Sequence, residues 1–416
     1  MNYLITGAQF NNKGAQSLLF TAVNEIRKKD PESQIYYIPI DFDSGNCFDH
    51  ASDYRFTWVF DDESYEDYPP KMGFIGLLYR KQRMKKRCRE VLKGNDKVLP
   101  LSKVWPRINV LVDVSGYILS SKFSARANNR FLRHIEKAAS MGIDVLLMPQ
   151  SFGPFDYSRN KAEMISRISS VLKKANLVYA REEQARQSLI KEIGLKDVRL
   201  STDFVLQSEE VELDRIYTNK SAVKPIAVST KNNVGIVPNT QTFKFGDETV
   251  ILQMYKSIID HLCEGGKEVY IFKHSNDAAV CKKIYEMVKD NSHCHLILEE
   301  MDCIAYSQFV SQFEYVIASR YHALVHAYKE AVPAMVLGWS VKYVELAKLL
   351  DQENFVFDIT GTPDTEKIIK GLEYLNQHFE EESAKIKDRL NEVQKQSVFN
   401  ECWEYISERH KDLLAK

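Results

Sequence analysis

Short apolar runs alternate with amphipathic stretches along most of the chain. Short continuous apolar runs are typical of strands buried on both faces, and apolar residues spaced three or four apart are typical of helices packed on one side. This alternation predicts an α/β fold built on parallel sheets. The strands predicted in the first half are Tyr3 to Thr6, Gln34 to Ile38, Ile108 to Val114, Asp144 to Met148, Leu177 to Ala180 and Val198 to Leu200.

Residues 207–224 are polar and have no sustained periodicity, and a second α/β series follows them. We interpret these residues as a linker between two predicted Rossmann-like domains, residues 1–206 and 225–363. Residues 364–416 are rich in Glu, Lys and Gln and predict terminal helices that return to the other domain. The strands predicted in the second domain are Ile226 to Thr230, Glu268 to Phe272, Tyr315 to Ala318 and Ala334 to Leu337. Its predicted helices are Thr249 to Cys263, Asp277 to Lys289, His322 to Glu330 and Val341 to Leu350.

Size and charge agree with a two-domain globular protein. The chain has 416 residues, more than the roughly 250 to 300 that one apolar core usually serves. The formal net charge is -1, so no overall positive field attracts nucleic acid, and we expect no nucleic-acid partner. Recognition of a charged ligand must therefore be local.

Cysteine use and hydropathy predict a cytoplasmic location. The seven cysteines are scattered without a C-x-x-C pair, which is typical of reduced thiols. The sequence starts without the basic and apolar regions of a signal peptide, and its apolar runs are shorter than the roughly 20 residues of a membrane span. We expect any membrane contact to be peripheral, at the inner face of the cytoplasmic membrane.

Residues 72–89 form an insertion in which apolar residues precede a dense basic run from Arg80 to Arg89. One interpretation is a solvated helix, since charge runs are usually exposed faces. The other is a membrane-surface element, whose apolar residues enter the headgroup region while Lys and Arg contact anionic lipids. The sequence leaves both open.

In the first domain, small and polar residues follow several predicted strands. A glycine loop runs from Gly7 to Gly14, and a tight turn contains Gly116. Loops at the carboxyl ends of parallel strands are where open α/β sheets bind ligands. Other candidates at such ends are Gln150 and Ser151 in a proline-bounded loop, Arg181, and Asp203. For Arg181, an ion pair with the following glutamates is an equally good interpretation.

In the second domain, Arg320 and His322 lie at a predicted strand-to-helix junction. This arrangement puts a permanent cation and a titratable imidazole beside a helix N-terminus, which suits an anionic ligand. His274 and Lys342 follow two other strands of the same domain. We predict no metal site, because the pair His322 and His326 lacks the glutamate of H-E-x-x-H.

Taken in order, these motifs resemble the polysaccharide pyruvyl transferase family over about Tyr3 to Leu350. The Arg-x-His-Ala piece with its downstream Val-Pro and Lys is the most specific part. The matching pieces are Asn12 to Gly14, Gly116, Pro149 to Phe155, Ala180 to Glu182, Thr202 with Asp203, His274 with Asp277, Ser319 to Leu324, Val332 with Pro333, and Lys342.

The resemblance implies a GT-B-like pair of domains with the active site in the cleft between them. It also implies transfer of a pyruvyl group from phosphoenolpyruvate to a sugar, with no metal or redox cofactor. His322 and Arg320 are then the expected catalytic residues, with His322 as the general acid or base. The expected donor-binding residues are Arg181, Arg320, His274 and Lys342. The expected acceptor or cleft-lining residues are Gly7, Asn12, Gly14, Gly116, Gln150, Ser151 and Asp203.

The expected acceptor is a sugar of a surface polysaccharide, such as a capsule or exopolysaccharide, or a lipid-linked oligosaccharide precursor. In the latter case the stretch Arg80 to Arg89 would contact the membrane. Two alternatives remain at this point. One is a GT-B glycosyltransferase that uses a sugar nucleotide, and the other is a non-catalytic protein that binds glycans or anions through Arg320 and His322.

Overall fold

The computed structural model of the protein describes residues 1–42, 47–67, 73–158, 160–219, 226–229, 231–244 and 246–414. These residues contain two parallel sheets packed between helices, which confirms the predicted α/β fold. The strands of the first sheet are β1 Asn2–Thr6, β2 Gln34–Tyr37, β3 Thr57–Phe60, β4 Val98–Pro100, β5 Val110–Asp113, β6 Asp144–Gln150, β7 Leu177–Ala180 and β8 Arg199–Leu200. The strands of the second sheet are β9 Asn233–Val237, β10 Glu268–Phe272, β11 Cys294–Ile297, β12 Tyr315–Ala318, β13 Ala334–Gly338 and β14 Val356–Asp358.

Each sheet contains one point where the strand order reverses. The first has the order β4-β3-β2-β1-β5-β6-β7-β8, and its register sets Thr6 beside Asp113. The second has the order β11-β10-β9-β12-β13-β14, with Val237 beside Ala318. Ligands of open parallel sheets bind outside the carboxyl ends of the strands at such reversal points. The loops after β1 and β5, and after β9 and β12, are therefore the expected locations of a ligand-binding site.

The longer helices cover the two faces of each sheet, and several short ones lie in the connections. In chain order the helices are α1 Lys13–Lys29, α2 Gly73–Leu92, α3 Leu101–Val104, α4 Ala125–Ser140, α5 Lys161–Leu172, α6 Glu183–Lys191, α7 Phe204–Gln207, α8 Leu213–Ile216, α9 Glu248–Glu264, α10 Ala278–Glu286, α11 Cys303–Val310, α12 Tyr321–Lys329, α13 Val341–Leu349, α14 Thr365–Lys395, α15 Val398–Arg409 and α16 Lys411–Leu414. No helix in the described part of the chain is both long and apolar enough to cross a membrane.

One apolar core is continuous between the two sheets. Neighbouring residues of β1 pack into different apolar clusters, as expected for a strand buried on both faces. Ile5 belongs to one cluster and Leu4 to another. The cluster that contains Ile5 also contains Phe272 and Val316 of the second sheet. The two halves of the chain are therefore joined by apolar packing as well as by the polar contacts described below.

The C-terminal helices cross from the second sheet to the first. Within α14, an added Cβ at Gly371 would lie 2.9 Å from the Phe357 ring of the second sheet. Within α15, Glu401 accepts a hydrogen bond from Tyr179 Oη at 2.5 Å, and Arg409 Nε lies 3.0 Å from Asp144 Oδ1. Residues 398–409 are thus attached to the first sheet.

The strand predicted from Ile226 to Thr230 is wrong for the residues that the structure describes there. Residues 226–229 lie outside any strand, and the second sheet begins with β9. The backbone amides of Val228 and Ser229 donate to side chains, Gln312 Oε1 and Tyr270 Oη, so they do not enter a strand ladder. Residue 230 and residues 220–225 of the predicted linker lie outside the described residues, and the domain boundary stays a prediction.

Candidate functional site

The N-terminal end of α1 touches the imidazole of His322. Asn12 caps α1, accepting a hydrogen bond from Gly14 N at 3.0 Å. A Cβ at Gly14 would lie 2.1 Å from His322 Cγ and 2.5 Å from Nδ1, so a side chain at this position cannot coexist with the present ring. Two residues that are 308 positions apart in sequence, in helices that follow strands of different sheets, therefore meet at van der Waals contact.

Arg320 is held by a buried carboxylate. Its Nε donates to Asp277 Oδ2 at 2.7 Å and its Nη2 to Oδ1 at 2.6 Å, a bidentate pair. Oδ1 of Asp277 also accepts from the backbone amide and the hydroxyl of Thr240. The Asp277 side chain is fully buried, whereas that of Arg320 is 24% exposed. Asp277 therefore orients the guanidinium while part of it faces the solvent side of the site.

His322 is a neutral imidazole with an unused nitrogen. Burial and the nearby Arg181 cation are the main causes that lower its pKa well below the ordinary 6.5. Its Nε2 is buried and makes no hydrogen bond within the described residues, and the nearest carboxylate oxygen, Asp203 Oδ2, is 3.8 Å away. A buried polar atom without a partner costs stability, and such atoms concentrate where a ligand or a reaction uses them.

His274 repeats this arrangement on β10's side of the site. Its Nδ1 lies 3.0 Å from Ser275 Oγ, and its Nε2 is buried with no hydrogen bond inside the described ranges. Burial is the first cause that lowers its pKa well below 6.5, and the charges of His326 and Arg320 lower it further. Its ring packs at 5.1 Å from the Tyr306 ring. The site thus contains two imidazoles whose pKa values are lowered first by burial and then by nearby cations.

Lys13 and Lys273 add positive charge that the sequence analysis did not assign to the site. Lys13 Nζ lies 5.9 Å from the Tyr306 ring centroid, and burial lowers its pKa. Lys273 is paired with Glu300. The sequence contained a signal for this role of Lys13, because a lysine in the first turn of a helix is unfavourable beside the positive end of the helix dipole. Such a lysine indicates an anion nearby.

Arg181 is buried and its guanidinium is surrounded by partners. Nη1 donates to Asp203 Oδ2 at 3.0 Å, Nη2 to Ser151 Oγ at 2.8 Å, and Nε to Glu182 Oε1 at 3.2 Å. The guanidinium also stacks 4.4 Å from the Tyr321 ring centroid. The ion pair with Glu182 that the sequence allowed is present, and Asp203 is a second partner. Arg181 therefore orients Asp203 toward His322, and its role in donor binding stays a prediction.

Lys342 shares an open cavity with Arg181. Its Nζ lies 5.4 Å from the Tyr321 ring centroid, and its pKa is lowered to about 8, first by burial and then by the charge of Arg181. The cavity has a volume of about 850 Å³ and lies between the ends of β7 and β8, α13 and the junction of α14 and α15. Carboxylate, amide and hydroxyl groups line it together with apolar side chains such as Leu200, Leu346 and Leu349.

Two of the predicted first-domain residues, Gly7 and Gln150, belong to a separate group around Asp113. Asp113 accepts hydrogen bonds from Thr6 Oγ1, Ser115 Oγ and Gln150 Nε2, and burial raises its pKa. Gly7 has φ +94°, and a Cβ there would lie 2.3 Å from Ser115 Oγ. Gly116, at φ +64°, approaches Arg181 instead: an added Cβ would lie 3.9 Å from its Nη1.

A smaller cavity of about 230 Å³ opens at this first reversal point. Its wall combines the Asp113 group with residues from the β2 loop and from the start of α4. The residues that line it include Gly7, Ile40, Ser115, Ser124, Arg126, Arg130 and His134. The candidate site thus has a cationic centre at the second reversal point and a small cavity of mixed lining at the first.

The comparisons with known proteins agree with this architecture. The sequence model of the family described as polysaccharide pyruvyl transferase matches residues 12–341. A UDP-GlcNAc 2-epimerase from Methanocaldococcus jannaschii is similar at 13% identity and a TM-score of 0.54, over 90% of this chain and 92% of that one. A putative UDP-N-acetylglucosamine 2-epimerase from Listeria monocytogenes has 11% identity and a TM-score of 0.55, over 99% and 97%. A glycosyltransferase from Rickettsia africae has 9% identity and a TM-score of 0.51, over 98% of each chain.

These structural similarities establish a GT-B-like fold and nothing finer, because the identities are low. No curated protein sequence matches the chain.

Proposed function

Because the chain belongs to the polysaccharide pyruvyl transferase family, we propose that it transfers the pyruvyl group of phosphoenolpyruvate to a sugar of a surface polysaccharide or of its lipid-linked precursor. The observation that carries this proposal is the cationic centre at the second reversal point. Arg320, Lys13 and the two neutral imidazoles of His274 and His322 surround one region. Phosphoenolpyruvate has a phosphate and a carboxylate on adjacent positions and matches such a centre.

Arg320 is the proposed anchor of the donor. Asp277 takes one edge of its guanidinium, and no hydrogen bond to Nη1 occurs within the described residues. Asp277 uses two of the five N–H donors of the guanidinium, so those on Nη1 are available to a second anion. Lys13 supports this anion from α1, and its pKa should rise toward the ordinary value when the donor binds.

The chemistry requires two proton transfers, and His322 is suited to both. Two hydroxyl groups of one sugar add to C2 of the enolpyruvyl group, the C2–O bond to phosphate breaks, and a cyclic ketal results. One hydroxyl proton ends on the methyl carbon and the other on the released phosphate, so atoms and charge balance without an oxidant. A single imidazole that accepts a proton and then donates it can serve the whole sequence.

The acceptor is proposed to enter at the first reversal point. The 230 Å³ cavity there is bounded by Gly7, Ser115 and Arg130. Gly14 connects this side to the catalytic centre, because it follows the same loop and contacts the His322 ring.

Thermal unfolding in the presence of ligands tests the proposal. At about a hundred times its dissociation constant, phosphoenolpyruvate should raise the free energy of unfolding by about 2.7 kcal/mol. UDP-N-acetylglucosamine, pyruvate and inorganic phosphate at equal concentration are the controls. A shift with the sugar nucleotide and none with phosphoenolpyruvate would overturn the proposal in favour of a glycosyltransferase. Binding of phosphoenolpyruvate without phosphate release on any sugar acceptor would favour a non-catalytic protein.

Replacing Gly14 by alanine should slow turnover. The new Cβ would occupy the space of the His322 ring, and a displacement of about 1 Å in a catalytic group costs about a hundredfold in rate. We expect lower kcat, measured as phosphate release, with donor binding retained. Gly265→Ala is the matched control, because a Cβ at Gly265 makes only ordinary contacts at 3.4 Å. Equal rates for the two variants would mean that the contact with Gly14 does not set the ring position used in turnover.

A further inference from the structure

The helix α2 is attached to the protein along one side only. Cys88 is buried in the core cluster shared by both sheets, and Met84, Val91 and Leu92 pack against it. Gly76 is buried at the other end of the same stripe. The contacts of α2 are with the short turn Ser64–Asp67 and with β4. The opposite side of the helix faces solvent.

The first turns of α2 expose an apolar cluster. Ile75 is 82% exposed, Tyr79 64%, and Leu77 and Leu78 43% each. Within the described residues, eleven large apolar side chains are exposed in total, and these four fall within five consecutive positions. Scattered exposed apolar residues need no explanation, but a contiguous group on a helix indicates a contact surface.

The remainder of α2 is strongly basic. The helix contains seven Lys or Arg residues and one acid, Glu90, on a chain whose net charge is -1. The exposed members of this basic group are Lys81, Arg83, Lys85, Lys86 and Arg89. A positive segment on a protein without an overall positive charge must bind a local negative partner if it binds anything.

Apolar side chains followed by cations on one exposed helix match a membrane surface better than nucleic acid. Nucleic acid offers phosphates to the cations but no apolar layer for Ile75 and Leu78, whereas an anionic bilayer offers both in adjacent layers. We propose that α2 docks the protein on an anionic membrane surface. Ile75, Leu78 and Tyr79, which share the exposed side of the helix, enter the headgroup region, and the five exposed cations contact the lipid phosphates.

This docking does not depend on the proposed function, but it gives that function a geometry. The turn Ser64–Asp67 contacts both α2 and α4, and α4 walls the 230 Å³ cavity through Ser124, Arg126 and Arg130. Docking through α2 thus brings the proposed acceptor cavity within one layer of structure of the membrane. A sugar attached to a membrane lipid can reach the cavity from there.

Vesicle flotation with the full-length protein tests the docking. We expect the protein to float with phosphatidylcholine vesicles that contain about 30% phosphatidylglycerol, and to float much less with phosphatidylcholine alone. Raising the salt from about 0.1 M to about 1 M should weaken but not abolish flotation, because apolar insertion is not screened. Failure to float with the anionic vesicles would overturn the proposal. Binding of an oligonucleotide by α2, without binding of the vesicles, would also overturn it.

Two pairs of variants separate α2 from general surface effects. Ile75→Asp/Leu78→Asp should weaken vesicle binding at least about tenfold, and Leu413→Asp/Leu414→Asp, at two exposed leucines outside α2, should not. Lys85→Glu/Lys86→Glu should likewise weaken vesicle binding at least about tenfold. The control Lys173→Glu/Lys174→Glu changes two exposed lysines outside α2 and should leave vesicle binding unchanged. All these side chains are exposed, so unfolding temperatures should stay near that of the parent. Equal losses in the α2 variants and their controls would overturn the assignment to α2.

Discussion

Replacing His322 by alanine is expected to reduce turnover by about 10²- to 10⁴-fold while phosphoenolpyruvate still stabilises the fold. The imidazole is the proposed carrier of both protons, and its Nε2 makes no hydrogen bond within the described residues, so its removal breaks no hydrogen bond at that atom. Phosphate release measures turnover, and thermal unfolding with the donor measures binding. Wild-type turnover in this variant would remove His322 from the reaction.

The pH profile distinguishes a proton carrier from a structural histidine. Burial and neighbouring cations hold the pKa of His322 well below 6.5, so the free protein should keep it neutral as the pH falls through 6.5. The bound donor is an anion, which favours the imidazolium and raises this pKa. We therefore expect the histidine limb of kcat, which reports the bound state, at higher pH than that of kcat/KM.

The phosphate of the donor itself titrates near pH 6, so a matched variant is needed to separate its titration from that of His322. His326→Gln is suitable, because His326 is buried on the same helix, hydrogen-bonded to Ser17 Oγ at 2.9 Å, and has a pKa lowered to about 3, chiefly by burial. The His326→Gln variant should keep the histidine limb in both pH profiles, that of kcat and that of kcat/KM. An identical profile for the residual activity of His322→Gln would show that the limbs belong to the substrate alone.

Replacing Arg320 by alanine is expected to weaken phosphoenolpyruvate binding about a hundredfold and to destabilise the fold. The first effect is the loss of charge-assisted hydrogen bonds to the donor. The second arises because Asp277 would remain as a buried carboxylate without its cation, which costs about 3 kcal/mol. Isothermal titration with the donor and chemical unfolding measure the two effects separately.

A double variant separates these effects further. In Arg320→Ala/Asp277→Asn the buried charge is gone, so stability should recover in part while donor binding stays lost. Arg320→Lys keeps a cation but cannot form the bidentate pair with Asp277, and we expect an intermediate affinity. Wild-type affinity in the double variant would contradict the role of Arg320 as donor anchor.

Local patterns predicted most of the elements on which the site is built. The strand Tyr315 to Ala318 and the helix that follows it were predictable, because apolar periodicity and strand-end chemistry are properties of neighbouring residues. The strands β3, β4, β11 and β14 were missed, since they are short and lie toward the sheet edges, where the pattern is weak. The family model, which matches residues 12–341, confirms the resemblance that the motifs carry over about Tyr3 to Leu350.

The contacts between distant residues could not be predicted in this way. Arg181 illustrates the limit, because the sequence allowed either an open position in the cleft or an ion pair, and the structure buries it between Glu182 and Asp203. The role of Lys13 was also missed, although its place at the start of α1 was a signal. Whether the basic run in α2 faced solvent or a neighbour depended on packing alone.

The sequence by itself determined the α/β class, the family and the residue types at the strand ends, since each depends on short-range order along the chain. Only the tertiary structure decided that Gly14 touches His322, that Asp277 holds Arg320, and that the imidazoles are neutral. The physical reason is that these properties arise where residues distant in the chain meet, either between the two sheets or between strand ends of one sheet. Desolvation and charge–charge interaction depend on distance in space, which the order of residues does not contain.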